Sequence, residues 1–142
     1  MTFDELQLMA EKDLKINDIE LDIESLKTPA LHNKYSKFHN QYINLLKKAE
    51  QELARETRDK WEYYTGKSDP SVYQLKPFNL KILKQDVDKY IKADEELNKL
   101  EAKVTYIQSV VDYLDKTIRI ITNRTFQIKN AIDWKKFTSG VI

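Results

Sequence analysis

The chain has 142 residues, two Gly, three Pro and no Cys, and its 24 basic and 23 acidic side chains nearly cancel. That length suits one domain, and the lack of Cys excludes a disulfide framework, a thiolate metal site and a Cys nucleophile. Two Gly leave nothing for a glycine-rich phosphate loop, and two His without Cys fall short of the usual Cys and His set of a structural zinc site.

From the N-terminus, Thr2 followed by Glu5 is a capping-box signature. It predicts a short helix that uses Phe3, Leu6, Met9 and Ala10. Ile19, Ile23 and Leu26 suggest a second short helix, although Ile19, Leu21 and Ile23 also alternate as a strand would. Thr28 and Pro29 then place a cap and a proline where a helix would start. These readings give two short helices over 1–28 and a first long helix over 30–65. A connecting loop follows over 66–79, marked by Gly66, Pro70 and Pro77, and then a C-terminal helical region over 80–139. The 142 residues read as a single all-α domain, an elongated helical hairpin-like subunit with a long C-terminal helix.

Periodicity is strongest near the C-terminus. Leu97, Leu100, Val104, Ile107, Val111, Leu114, Ile118 and Ile121 alternate spacings of three and four, and the series resumes at Ile128 and Ile132. This is a heptad seam. A second stripe, Tyr106, Val110, Tyr113, Ile120, Ala131 and Trp134, runs beside it. A helix over 94–137 would be about 65 Å long, against a diameter near ~40 Å for a compact domain of this size. The expected consequence is an obligate homo-oligomer, with Val104, Ile107, Val111, Leu114, Ile118 and Ile121 at the subunit interface. In the first long helix Leu31, Tyr35, Phe38, Tyr42, Leu45 and Ala49 repeat the spacing.

Charge is segregated although it cancels overall. The blocks 1–26, 27–60, 61–85, 86–115 and 116–142 carry −6, +4, +2, −4 and +5. Such blocks suit contacts between unlike ends and leave basic zones for a polyanion. No catalytic constellation emerges, and no cofactor or metal is expected. His32 and His39 stand about 10 Å apart along a helix, too far to share a metal. With no signal peptide and no long apolar run, the sequence reads as a cytoplasmic protein. Residues 58–67 mix bases and aromatics. On one helix Lys60, Tyr63, Tyr64 and Lys67 would share a face, offering cations for phosphates and rings for bases, as single-stranded nucleic acid requires. Arg58, and Arg124 and Lys129 of the basic C-terminal block, extend the candidate DNA-binding set. The competing reading is a coiled-coil structural or assembly scaffold, in which Trp61 and Tyr64 are core and the charges solvate helix faces.

The segment Arg58-Asp59-Lys60-Trp61-Glu62-Tyr63-Tyr64-Thr65-Gly66 resembles the basic-x-basic, apolar, acidic, Tyr-Tyr, small, Gly signature of the phage recombination mediator family UvsY. Residues 124–137 resemble that family's C-terminal helix. The resemblance spans about 31–140. It implies a non-enzymatic, mainly helical protein that forms a ring-like homo-oligomer of about six or seven subunits. It further implies binding to single-stranded DNA, contact with the phage single-strand-binding protein, and loading of the phage recombinase, UvsX, in the cytoplasm of an infected bacterial host. The two basic positions of the signature fall on Arg58 and Lys60. Asp59 between them and Trp61 in place of a smaller apolar residue depart from the pattern.

Overall fold

A computed structural model describes residues 1–140. The chain is all-α, and no strand occurs among the described residues. Five helices follow one another: α1 (Phe3–Leu14), α2 (Leu21–Tyr64), α3 (Pro70–Leu75), α4 (Val87–Ala93) and α5 (Glu95–Thr138). A 3-10 turn, Lys84–Asp86, leads into α4. The helices fall into two compact units, Met1–Ile43 with the chain from Ser109 onward, and Asn44–Gln108.

In the first unit the capping box at Thr2 and Glu5 forms as the sequence predicts. Leu6 and Ala10, one turn apart on α1, are fully buried with Tyr35 of α2 and Val110, Leu114 and Ile121 of α5. Burying a side chain of Leu114's kind contributes about 1.5–3 kcal/mol. Phe3 meets Tyr113 edge-on at 5.5 Å. The Tyr35 hydroxyl donates to Asp13 at 2.7 Å, and Lys34 pairs with the same carboxylate at 2.6 Å. Burial pushes the Asp13 carboxyl up, but the hydrogen bonds from Lys34 and Tyr35 outweigh it and hold Asp13 below its ordinary value.

The start of α2 corrects the sequence reading. The helix does not begin at Thr28–Pro29; it runs from Leu21 with Pro29 inside it. Proline in a helix interior removes one hydrogen bond, here the one that the Ser25 carbonyl would accept. A polar lock from α5 holds this stretch. Arg124 donates to the Glu24 carboxylate at 2.7 Å, to the Glu24 carbonyl at 2.8 Å and to Thr28 Oγ1 at 3.4 Å. The buried stripe is therefore Leu21 and Glu24 with half-buried Thr28, and the expected Ile19, Ile23 and Leu26 stripe is exposed.

The expected oligomer seam is corrected as well. Leu114 and Ile121 are fully buried inside the first unit, Val111 is buried, and Ile118 packs half-buried against that core. In the second unit Ile107 is buried and Val104 half-buried. In the first unit the cover comes from the same chain, because Leu6 and Ala10 of α1 and Tyr35 of α2 share one core with Val110, Leu114 and Ile121.

Within the second unit Leu46, Ala49, Val87, Leu97 and Ile107 are buried, and Glu52 of α2 pairs with Lys103 of α5 at 3.4 Å. The expected loop 66–79 contains α3, capped by Asp69 with Pro70 in the first turn. Nor does helix fill 80–139: the backbone is extended before the 3-10 turn and breaks again at Asp94. That residue closes α4 with an extended ψ of 120°. Its carboxylate then accepts the Leu97 amide at 3.0 Å, which caps the start of α5.

Candidate nucleic-acid interface at the end of α2

The last turns of α2 carry the segment singled out by composition, and local chemistry ends the helix there. Gly66 takes φ +78°, the left-handed conformation that glycine adopts without steric penalty. The Gly66 amide donates to the Tyr63 carbonyl at 3.3 Å and the Lys67 amide to the Glu62 carbonyl at 2.8 Å. This paired closure is a Schellman motif. It turns the chain back, so Lys67 leaves the helix and does not share the face of Lys60, Tyr63 and Tyr64. Its Nζ sits 4.6 Å from the centre of the Trp61 ring.

Tyr63 and Tyr64 join a cluster of rings. Tyr63 stacks on Tyr73 of α3 at 5.4 Å and 15°. Tyr64 meets Phe78 at 5.3 Å and Tyr90 of α4 at 5.5 Å. The Tyr73 hydroxyl donates to the Tyr63 carbonyl at 2.8 Å, capping α2 from outside. The Tyr64 hydroxyl donates to Asp94 at 2.6 Å. Burial, and then the neighbouring Asp94 carboxylate, push the Tyr64 hydroxyl well above its ordinary value.

Lys60 is similarly engaged. Its ammonium lies 3.4 Å from Asp94 and 2.9 Å from Glu96, and its side chain is only 16% exposed. Burial favours the neutral amine, but Glu96 and Asp94 outweigh it and raise the Lys60 pKa. Glu96 is also held by Lys76 at 2.9 Å, and both lysines keep its carboxyl below the usual range. Asp94 is pushed up by burial, but the Tyr64 hydroxyl, the Leu97 amide and Lys60 together bring it below its ordinary value.

Of the seven candidate DNA-binding residues, the structure therefore assigns internal work to Lys60, Tyr63 and Tyr64. Arg58 is exposed and touches Asp59 at 3.2 Å; Lys67 is exposed over Trp61. In the first unit, Lys129 is exposed. Arg124 is corrected: at 1% exposure and bound to Glu24, it is a core residue and presents no cation to a ligand. The sequence reading takes Asp94 only as the start of the long helix and gives Tyr73, Phe78 and Tyr90 no role. An Asp directly before Glu95 and Glu96 is a helix-start signal that points to Asp94. The ring cluster has no local signal, because Phe78 and Tyr90 meet Tyr64 only through the fold.

These features define an all-helical protein in which the end of one long helix is built into a shell of rings and ion pairs. A family described as "Recombination, repair and ssDNA binding protein UvsY" matches residues 9–141, and the chain belongs to that family. The recombination protein uvsY of Enterobacteria phage T4 is 21% identical over 140 residues, 99% of each chain. Two crystal structures of the bacteriophage T4 recombination mediator protein UvsY share the fold. The lattice type II form gives a TM-score of 0.86 at 21% identity, covering 98% of both chains. The lattice type IV form gives 0.83 at 20% identity, covering 97% of this chain and 99% of that one.

Proposed function

We propose that this chain is a recombination mediator that binds single-stranded DNA and helps load a phage recombinase of the UvsX kind onto DNA covered by single-strand-binding protein. The observation that carries the reading is the family match over 9–141. The exposed cations Arg58 and Lys67, beside the half-exposed Trp61, support it. The protein would act as a homo-oligomer of about six or seven copies, so that weak sites repeated around the assembly hold one strand through effective concentration. Exposed apolar side chains of the first unit support assembly: Ile19, Leu26, Phe126, Trp134 and Phe137 are each more than 60% exposed. With the seam consumed inside the chain, these side chains replace it as the proposed contact surface.

The reaction asks for no bond making by the mediator. It holds and reshapes the strand so that the covering protein yields it and the recombinase nucleates. Titration of a labelled single-stranded oligonucleotide at increasing salt tests the reading. Sequence-tolerant binding that weakens steeply with salt is expected. Absence of binding at low salt, or an affinity indifferent to salt, overturns it in favour of a scaffold without a nucleic-acid role.

A further inference from the structure

The two flanks of the α2 terminus differ in charge. On the Lys60 side lies a groove of about 390 Å³. It is lined by five carboxylates, Glu56, Asp59, Glu62, Asp69 and Glu96, against Lys60 and Lys76. Such a groove repels phosphate. On the Trp61 side lies a cleft of about 270 Å³ formed by Trp61, Thr65, Lys67, Ile82, Lys84 and Val87. A second cleft, of about 400 Å³, shares Thr65 and Ile82 with it and adds Lys81. No carboxylate lines either cleft.

We infer that single-stranded DNA seats on the Trp61 flank, with a base stacked on the Trp61 indole and the adjoining phosphates held by Lys67, Lys84 and Lys81. This rests on the single-strand-binding reading above and relocates the contact within it, away from Lys60. Trp61 is 37% exposed, enough to offer part of its ring. The Gly66 turn brings the Lys67 ammonium over that ring at 4.6 Å, and a stacking base takes its place while the flexible stem swings the cation to the adjoining phosphate. The extended segment before α4 delivers Lys81, and the 3-10 turn that follows delivers Lys84, to the same side. Aromatic stacking with flanking cations is sequence-tolerant, because every base has a π-face.

The test uses the full chain with an oligothymidylate probe. In a Trp134→Phe background Trp61 is the sole tryptophan, and its emission should be quenched as the probe binds. Trp61→Ala should weaken binding roughly tenfold, and Trp61→Phe should restore most of it. Lys67→Ala and Lys84→Ala should each lower the slope of log affinity against log salt by about 0.7, the loss of one phosphate contact on a single strand. Lys84 is exposed, so its removal reads binding without disturbing the fold, even if Trp61→Ala fails to fold. Two failures are distinguishable. If the unaltered chain binds with a steep salt slope while the lysine variants match it and Trp61 emission stays constant, this site is overturned and the single-strand reading stands. If the unaltered chain does not bind oligothymidylate, both fall.

Discussion

Arg124 grips Glu24 twice, through the carboxylate at 2.7 Å and the main-chain carbonyl at 2.8 Å, with both side chains almost fully enclosed. The contact links residues 100 apart in the chain. It fixes the part of α2 that Pro29 would otherwise weaken.

Removing the cation strips a buried carboxylate of its enclosed partner and leaves it only the exposed Lys27 at 2.9 Å. Arg124→Ala should therefore destabilise the protein by about 3–5 kcal/mol, read as a shift of the denaturant midpoint followed by helical circular dichroism. The Nη1 of Arg124 is buried without a hydrogen-bond partner, which lowers the net value of the pair. An apolar double replacement, Glu24→Leu with Arg124→Met, should consequently recover most of the loss. The folded fraction of Arg124→Ala should bind oligothymidylate as the unaltered chain does. A selective loss of DNA affinity at full stability would return Arg124 to the binding surface.

Acid should destabilise the fold through four carboxylates. Glu24 is held below its ordinary value of 4.5 by the Arg124 and Lys27 hydrogen bonds, and Asp13, Asp94 and Glu96 are also lowered. A folded-state value below the unfolded one gives stability that is complete above the unfolded value and disappears as pH falls through the folded one. The melting temperature should thus respond little to these groups above about pH 5 and decline below about 4.5. The tyrosines act at the other limit. Burial and Asp13 raise Tyr35, and burial and Asp94 raise Tyr64, from an ordinary 10.0. Their stabilisation is complete below that value and is lost as pH rises through the folded-state one. Thermal melts across pH 3–11 check both limbs. In Arg124→Ala the Glu24 part of the acid decline should shrink to what the Lys27 hydrogen bond sustains.

Core and surface positions of α5 should separate folding from assembly. Ile121 is fully buried, whereas Trp134 and Phe137 stack on each other at 5.7 Å in the open. Ile121→Asp buries an unpaired charge and should abolish cooperative unfolding. Trp134→Asp with Phe137→Asp should retain the helical signal and shift sedimentation to smaller species. An unchanged assembly in the double variant would move the subunit contact elsewhere.

The helical character of the chain was legible because its period is strong and breakers are rare. The α5 seam is real, but a heptad pattern states only that one face is buried, not whether the cover comes from the same chain. In the first unit α1 and α2 of the same chain supply it. Pro29 misled because proline is a local signal, whereas Glu24 and Arg124 meet across the fold. The candidate site was legible as a segment and misread in its directions. A continuous helix would align Lys67 with Lys60, and one positive φ at Gly66 parts them. Lys84 drew no notice because it lies 17 residues beyond Lys67, in a stretch expected to be helical.

Asp94 ends one helix, begins the next, receives the Tyr64 hydroxyl and stands beside Lys60. The backbone amide closes α4, and the other three demands converge on a side chain with two oxygens. Neither a longer acid nor an amide meets them all, since one shifts the reach and the other removes the charge. Lesions at this position should yield conditional alleles, competent in cool hosts and lost in warm ones, because the helix junction and the ring shell would loosen together.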